Sequence, residues 1–182
     1  MKNYFTMSNC LEIFGKLKEQ REQCRFTDLI LSVQGRDFHA HRCVLAACSP
    51  WFDARLKVHK STREHMKIDQ CNDYKIFDTL LNYCYTGIII LDMHNISELL
   101  NLSDLFHMAK LKSCCCEYLS TNLNFTIIHT TVDLAFQHGL SDLIRRSFTY
   151  MQRNFGYLYN NDSDELRQYS PQLVQGTFHY LQ

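Results

Sequence analysis

Proline and glycine are scarce, 2 and 6 in 182 residues. So few obligatory breaks point to a mostly helical chain with short connections. Net charge is also lacking. Lys+Arg and Asp+Glu number 19 each, a balance that carries no electrostatic signature of nucleic acid, a membrane surface or an acidic substrate. No apolar run approaches the ~20 residues of a membrane span. Met1-Lys2-Asn3-Tyr4-Phe5-Thr6 has no apolar core of a secretory signal. Internal repeats, low-complexity tracts and zinc fingers are missing, as are C-x-x-C pairs, glycine-rich phosphate loops and nucleophile elbows. Those absences remove the usual supports for structural zinc, nucleotide binding and covalent catalysis.

What is present favours packing. Apolar residues make up 46% and aromatics 13%, ample for one large domain or one domain with a smaller companion. The 9 cysteines, an odd number without a secretion signal, suit free thiols acting as small buried hydrophobes in a reducing compartment. Sequons at Asn95, Asn101, Asn124 and Asn161 have no meaning outside the secretory pathway.

The stretch from Cys24 to Phe52 organises the chain. Leu29, Leu31 and Val33 alternate with Ile30, Ser32 and Gln34, the period of a strand with one buried face. Gln34-Gly35-Arg36 predicts a hairpin turn, and Asp37–Ala40 a second strand. Val44–Cys48 reads as a helix apolar nearly all round, which belongs inside a core. Ser49-Pro50 caps and opens another. Around it, residues 1–8 form an unpatterned leader, and a helix runs from Ser8 or Asn9 to about Gln23 with Cys10, Leu11, Ile13, Phe14 and Leu17 on its apolar stripe. Lys57–Arg63 reads as a solvated loop, and Met66 and Ile68 as a third strand. A helix opens at Asp73 and closes at Gly87, and Ile88–Leu91 follows as a fourth, β-branched strand. Later helices start at Asn95 or Ser97, at Met108, at Ile127, at Ser141 and at Ser170-Pro171, with Asn160–Ser163 as a turn and cap.

Phe26, Asp28, Ala40, His41, Arg42, Val44, Leu45, Ala46, Ala47, Ser49, Pro50 and Phe52 stand in the order F-x-D, then A-H-R-x-V-L-A-A-x-S-P-x-F. That pattern resembles the signature of the BTB/POZ domain. Tyr83-Cys84-Tyr85-Thr86-Gly87 resembles a second hallmark, and the spacing from Leu111 through Cys115 and Cys116 to Leu119 resembles the last BTB helix. The Arg153-Asn154-Phe155 ending and Ser170-Pro171-Gln172-Leu173 are similar to the start of the BACK region that follows BTB in kelch-type adaptors, although no kelch repeat is present. The resemblance implies an α+β architecture: a BTB/POZ domain over residues 9–124, a small mixed sheet flanked by helices, then an all-α BACK-like extension over 125–182. The chain end at Gln182, inside a helical pattern, suggests a fragment or short isoform.

The same resemblance implies a homodimerising protein-interaction module. Its expected role is substrate adaptor of a cullin-RING ubiquitin ligase, cytoplasmic or nuclear, with a substrate protein recruited elsewhere. The alternative is a nuclear BTB regulator that recruits corepressors through the dimer groove; the helical extension argues against it. No enzyme activity, cofactor, metal, nucleic acid or membrane is expected. Leu11, Phe14 and Leu17 would cross to the partner subunit. Asp28 begins a strand inside an apolar run and Arg42 begins the buried helix, so a mutual ion pair is the cheapest way to admit both charges. By resemblance the pair also lies at the groove floor. The cullin surface would comprise Phe52, Leu56, Val58, Phe106, His107 and Met108, with core packing as the competing role for Phe106 and Met108. The loop after Leu56 departs from the family pattern, offering Val58 but no glutamate two residues beyond an apolar one. Cys114, Cys115 and Cys116 with His107 resemble a ligand set only in composition, because adjacent helical positions diverge by ~100°.

Overall fold

Strand β1 (Leu29–Val33) buries Leu29, Leu31 and Val33 and leaves Ile30 and Ser32 half-covered, as its alternation requires. In the computed structural model, residues 10–58 and 64–161 are described. The turn after β1 uses Gln34 at φ 50° and Gly35 at φ 76°, the left-handed pair that suits a two-residue hairpin. Gln34 steadies that conformation by donating its side-chain amide to the carbonyl of Asn72. Strand β2 (Arg36–Ala40) runs back antiparallel, pairing Val33 with Arg36 and Leu29 with Ala40. Strand β3 (Glu64–Lys67) joins the other edge of β1 in parallel, Leu31 opposite Met66. The sheet is therefore small and mixed, in the order β2-β1-β3.

Helices surround the sheet because their apolar faces have nowhere else to go. They are α1 (Cys10–Glu22), α2 (Arg42–Cys48), α3 (Pro50–Val58), α4 (Tyr74–Thr86) and α5 (Ile96–Leu105). Helix α4 starts at Asp73, whose carboxylate accepts the Lys75 amide at 2.7 Å, and stops at Gly87, held at φ 68°. Phe77, Leu80, Leu81, Cys84 and Tyr85 line its buried face, and Phe77 meets Phe38 of β2 edge-on at 5.5 Å. Val44 and Leu45 of α2 are buried, and Phe52 and Leu56 anchor α3.

The described residues form two compact units, divided between Lys112 and Ser113, within α6 (Ala109–Thr121). In the second unit, α7 (Ile128–Gln137) and α8 (Ser141–Asn161) pack Ile128, Val132, Phe148 and Met151 into their own core, with Leu123, Ile144 and Tyr150 against it. The architecture is α+β with a helical extension.

Two expectations are corrected. Ile88–Leu91 is not a strand: Ile88 and Ile90 are 72% and 76% exposed, with no described strand alongside. Side chains tie this segment instead. Thr86 Oγ1 accepts the Ile88 amide at 3.1 Å, and the Asn95 amide donates to the Ile90 carbonyl at 3.0 Å. Asn160 and Asn161 also close α8 rather than turning, while Asp162 and Ser163 of the expected turn lie outside the described residues. The leader and the Ser170-Pro171 helix lie outside the described residues.

Candidate functional site

The junction of β1, α2 and α3 is built around Asp28 and Arg42. Asp28 extends the hairpin, its amide donating to the Ala40 carbonyl at 3.3 Å. Its carboxylate then accepts the Arg42 backbone amide at 2.8 Å. The Arg42 guanidinium donates to the Leu56 carbonyl at 2.6 Å. The bond found between the two residues therefore joins a carboxylate to main chain, where two facing charges were expected. The reason is local: the first turn of α2 exposes free amides that an anion satisfies, while the long arginine reaches an open carbonyl near the end of α3. Both residues are half-buried, so the clamp holds three elements and still faces outward.

Next to it lies a buried polar node. His41 precedes α2 in extended conformation, φ −101° and ψ 123°. Its amide donates to the Tyr85 hydroxyl at 2.9 Å, and its Nδ1 lies 2.9 Å from the same oxygen. Arg21 of α1 stacks its guanidinium over the Tyr85 ring at 5.2 Å and donates to Asn82 at 2.7 Å. Burial pushes the Tyr85 hydroxyl up to about 12, its bond to the His41 backbone opposing the rise. Neither His41 nor Tyr85 has the access that acid–base chemistry requires. The node is structural, and it docks α1 on α4.

The three residues placed on α1 divide by exposure. Leu11 is 77% exposed, Phe14 is 41% exposed and Leu17 is half-buried; Ile13, also on the expected stripe, is exposed too. Helix α1 packs one side on its own unit through Arg21 and leaves this stripe uncovered.

The six residues placed on the second surface separate more sharply. Phe52, Leu56, Phe106 and Met108 are buried, so their side chains cannot be the contacts of another protein. Phe52 and Phe106 stack at 4.8 Å, Phe77 meets Phe106 at 6.4 Å, and Trp51 packs edge-on against Phe106 at 5.2 Å. Ser49 sets this cluster. Its hydroxyl donates to the Phe106 carbonyl at 2.6 Å and accepts the Phe52 amide at 3.2 Å. What remains exposed is Val58, at 77%, and His107. His107 is raised to the surface by a left-handed φ of 53° at the tight α5–α6 junction, where the Met108 amide donates to Ser103 at 2.7 Å. The sequence reading missed Trp51 and Arg55, whose guanidinium lies 5.3 Å over the indole; their i,i+4 spacing was the available signal.

Among the described residues, no three of His, Cys, Asp and Glu gather as metal ligands. Cys115 is buried while Cys114 and Cys116 are half-exposed, the divergence that helical geometry demands. No described helix is long and apolar enough to cross a membrane. A cleft of about 450 Å³ beside α1, β2 and α4 is lined by Arg21, Arg36, Lys75, Glu22, Asp37 and Asp78 among others, and these charges cancel.

Comparisons with known proteins agree with this geometry. The chain is 32% identical over 166 residues to Kelch-like protein 24a of Danio rerio, covering 87% of this chain and 27% of that protein. It is 30% identical over 177 residues to Kelch-like protein 24 of Rattus norvegicus, covering 92% and 29%. The chain thus spans little more than a quarter of the length of these relatives. Among solved structures, the BTB domain of zebrafish PATZ1 superposes with a TM-score of 0.59 at 27% identity, covering 66% of this chain and all of that one. Residues 17–123 match the family described as BTB/POZ domain, and the chain accordingly belongs to the BTB/POZ domain family, whose fold serves protein–protein interaction.

Proposed function

We propose that this chain homodimerises through the exposed face of α1 and serves as the interaction module of a substrate adaptor for a cullin-RING ubiquitin ligase. The observation that carries the reading is the uncovered apolar stripe of Leu11, Ile13 and Phe14 on a helix otherwise docked to its own unit. Contiguous apolar surface of this kind is costly in water and marks a protein contact. A second copy presents the same stripe, so a two-fold arrangement covers both at once. Asp28 and Arg42 lie at the floor of the groove so formed. The kelch-like relatives support the adaptor role, the work of a cytoplasmic or nuclear protein. On this reading residues 9–124 carry dimer and cullin contacts, and residues 125–182 open a BACK-like region. The cullin surface consists of the exposed residues Val58 and His107, with Trp51 and Arg55 between them along α3.

Two measurements test the reading. Sedimentation velocity at ten micromolar should show a dimer, and Leu11→Asp with Phe14→Asp should give a folded monomer. A pull-down with a cullin N-terminal domain should capture the wild type and lose it in Val58→Asp with His107→Asp. A monomeric wild type removes the dimer. A dimer that captures no cullin at micromolar concentration moves the role to corepressor recruitment or scaffolding through the Asp28–Arg42 groove.

A further inference from the structure

Helix α2 ends at Cys48, and α4 carries Cys84 within its last turn. The Cys48 thiol donates to the Cys84 carbonyl at 3.3 Å, so its sulfur lies against the Cys84 backbone, and the two thiols also interact with each other. Ser49, next in sequence, is buried and pinned to the Phe106 carbonyl, so Cys48 has little freedom to swing away. Cys48 is partly open to solvent and Cys84 is buried.

We propose that Cys48 and Cys84 are an oxidative modification site, closing to a disulfide when the protein meets hydrogen peroxide. The chemistry assigns a separate task to each thiol. Cys48 is the reachable one, and its pKa is lowered by a hydrogen bond from the Cys84 thiol, which enriches the thiolate that reacts. Its sulfur attacks one peroxide oxygen and the O–O bond breaks, leaving Cys48 sulfenic acid and hydroxide. Cys84 then resolves it: its thiolate attacks the Cys48 sulfur, the S–S bond forms, the S–O bond breaks and hydroxide leaves. Overall two thiols give up two electrons and two protons, and the peroxide becomes two waters. The hydrogen bond with the Cys48 side chain, and then burial, work against the Cys84 thiolate, whereas the nearby Arg21 guanidinium favours it. The resolving thiol thus ionises mainly once Cys48 has been oxidised and no longer holds its thiolate against it. Closure ties the end of α2 to α4 across a loop of 36 residues.

The test is oxidation of the folded 182-residue chain with stoichiometric hydrogen peroxide, followed by non-reducing peptide mapping. The Cys48–Cys84 cross-link should be the main product, with the mass lower by two hydrogens and restored by dithiothreitol. The oxidised protein should melt roughly 5–10 °C higher than the reduced one, because the cross-link restricts the unfolded chain. Cys84→Ala should leave Cys48 as a sulfenic acid trapped by dimedone, and Cys48→Ser should abolish the cross-link. The inference is overturned if Cys24, Cys43 or Cys114 forms the principal cross-links instead. It is equally overturned if the Cys48–Cys84 link forms no faster in the folded chain than in urea. The wild-type map decides the matter even if Cys84→Ala does not fold.

Discussion

Tyr85 shows how a single side chain can hold a fold whose surface does the work. Its hydroxyl serves the His41 amide and Nδ1 at once, so Tyr85→Phe leaves two buried polar groups without a partner. A loss of about 1–3 kcal/mol in urea unfolding is expected. The same burial makes stability sensitive to alkali. Tyr85 rises from 10 to about 12, Cys71 from 9 to about 11 and Cys115 from 9 to about 12, each chiefly by desolvation. The folded state keeps protons that the unfolded chain releases, so these contributions are complete below pH 9 and are lost as pH rises towards 12. Urea midpoints should fall across that window, and Tyr85→Phe should flatten the part above pH 10. Phe106 separates packing from recognition. Because it is wholly buried, Phe106→Ala should cost about 3–5 kcal/mol by calorimetry or denaturant. A variant of normal stability that merely loses a partner would contradict that placement.

At the scale of elements, the strongest patterns were those whose apolar residues are covered by their own unit. The alternation at Leu29–Val33, the turn at Gln34-Gly35, the cap at Asp73 and the stop at Gly87 were all legible, because each is decided within a few residues. Ile88–Leu91 was not. Three isoleucines and a leucine suit a strand, yet strand identity needs a neighbour to accept the backbone bonds, and no described strand lies beside them. The site was legible only in part for a related reason. Asp28 and Arg42 were found together, but whether carboxylate meets guanidinium or amide depends on where α2 begins and α3 ends. Phe52, Leu56, Phe106 and Met108 were placed on a surface by resemblance, with core packing as the competing role for Phe106 and Met108, and all four are packed inward. Ser49→Ala tests this scale directly: it removes both the Phe52 and Phe106 bonds and should cost about 1–2 kcal/mol, loosening α3 and exposing His107's junction to faster amide exchange.

At the scale of the whole molecule, the predictions concern the proposed dimer and the helical extension. Charge substitution at Leu11 and Phe14 should change oligomeric state while leaving the denaturation midpoint of the dissociated chain nearly unaltered, because exposed side chains contribute little to the monomer's own core. Residues 9–124, produced alone, should form the proposed dimer and unfold cooperatively in denaturant; a fragment without cooperative unfolding would show that the extension is needed for the fold. In the amino-acid sequence by itself, the Phe26–Phe52 motif carried the resemblance to the family and, with it, the mixed architecture, while short-range periodicity and turn chemistry determined the helix caps and the apolar stripe of α1. Only the tertiary structure decided which apolar residues stay outside, how the Asp28 charge is met, and that Cys48 lies against Cys84. Each of those depends on contacts between residues far apart in the chain, and such contacts leave no periodic trace.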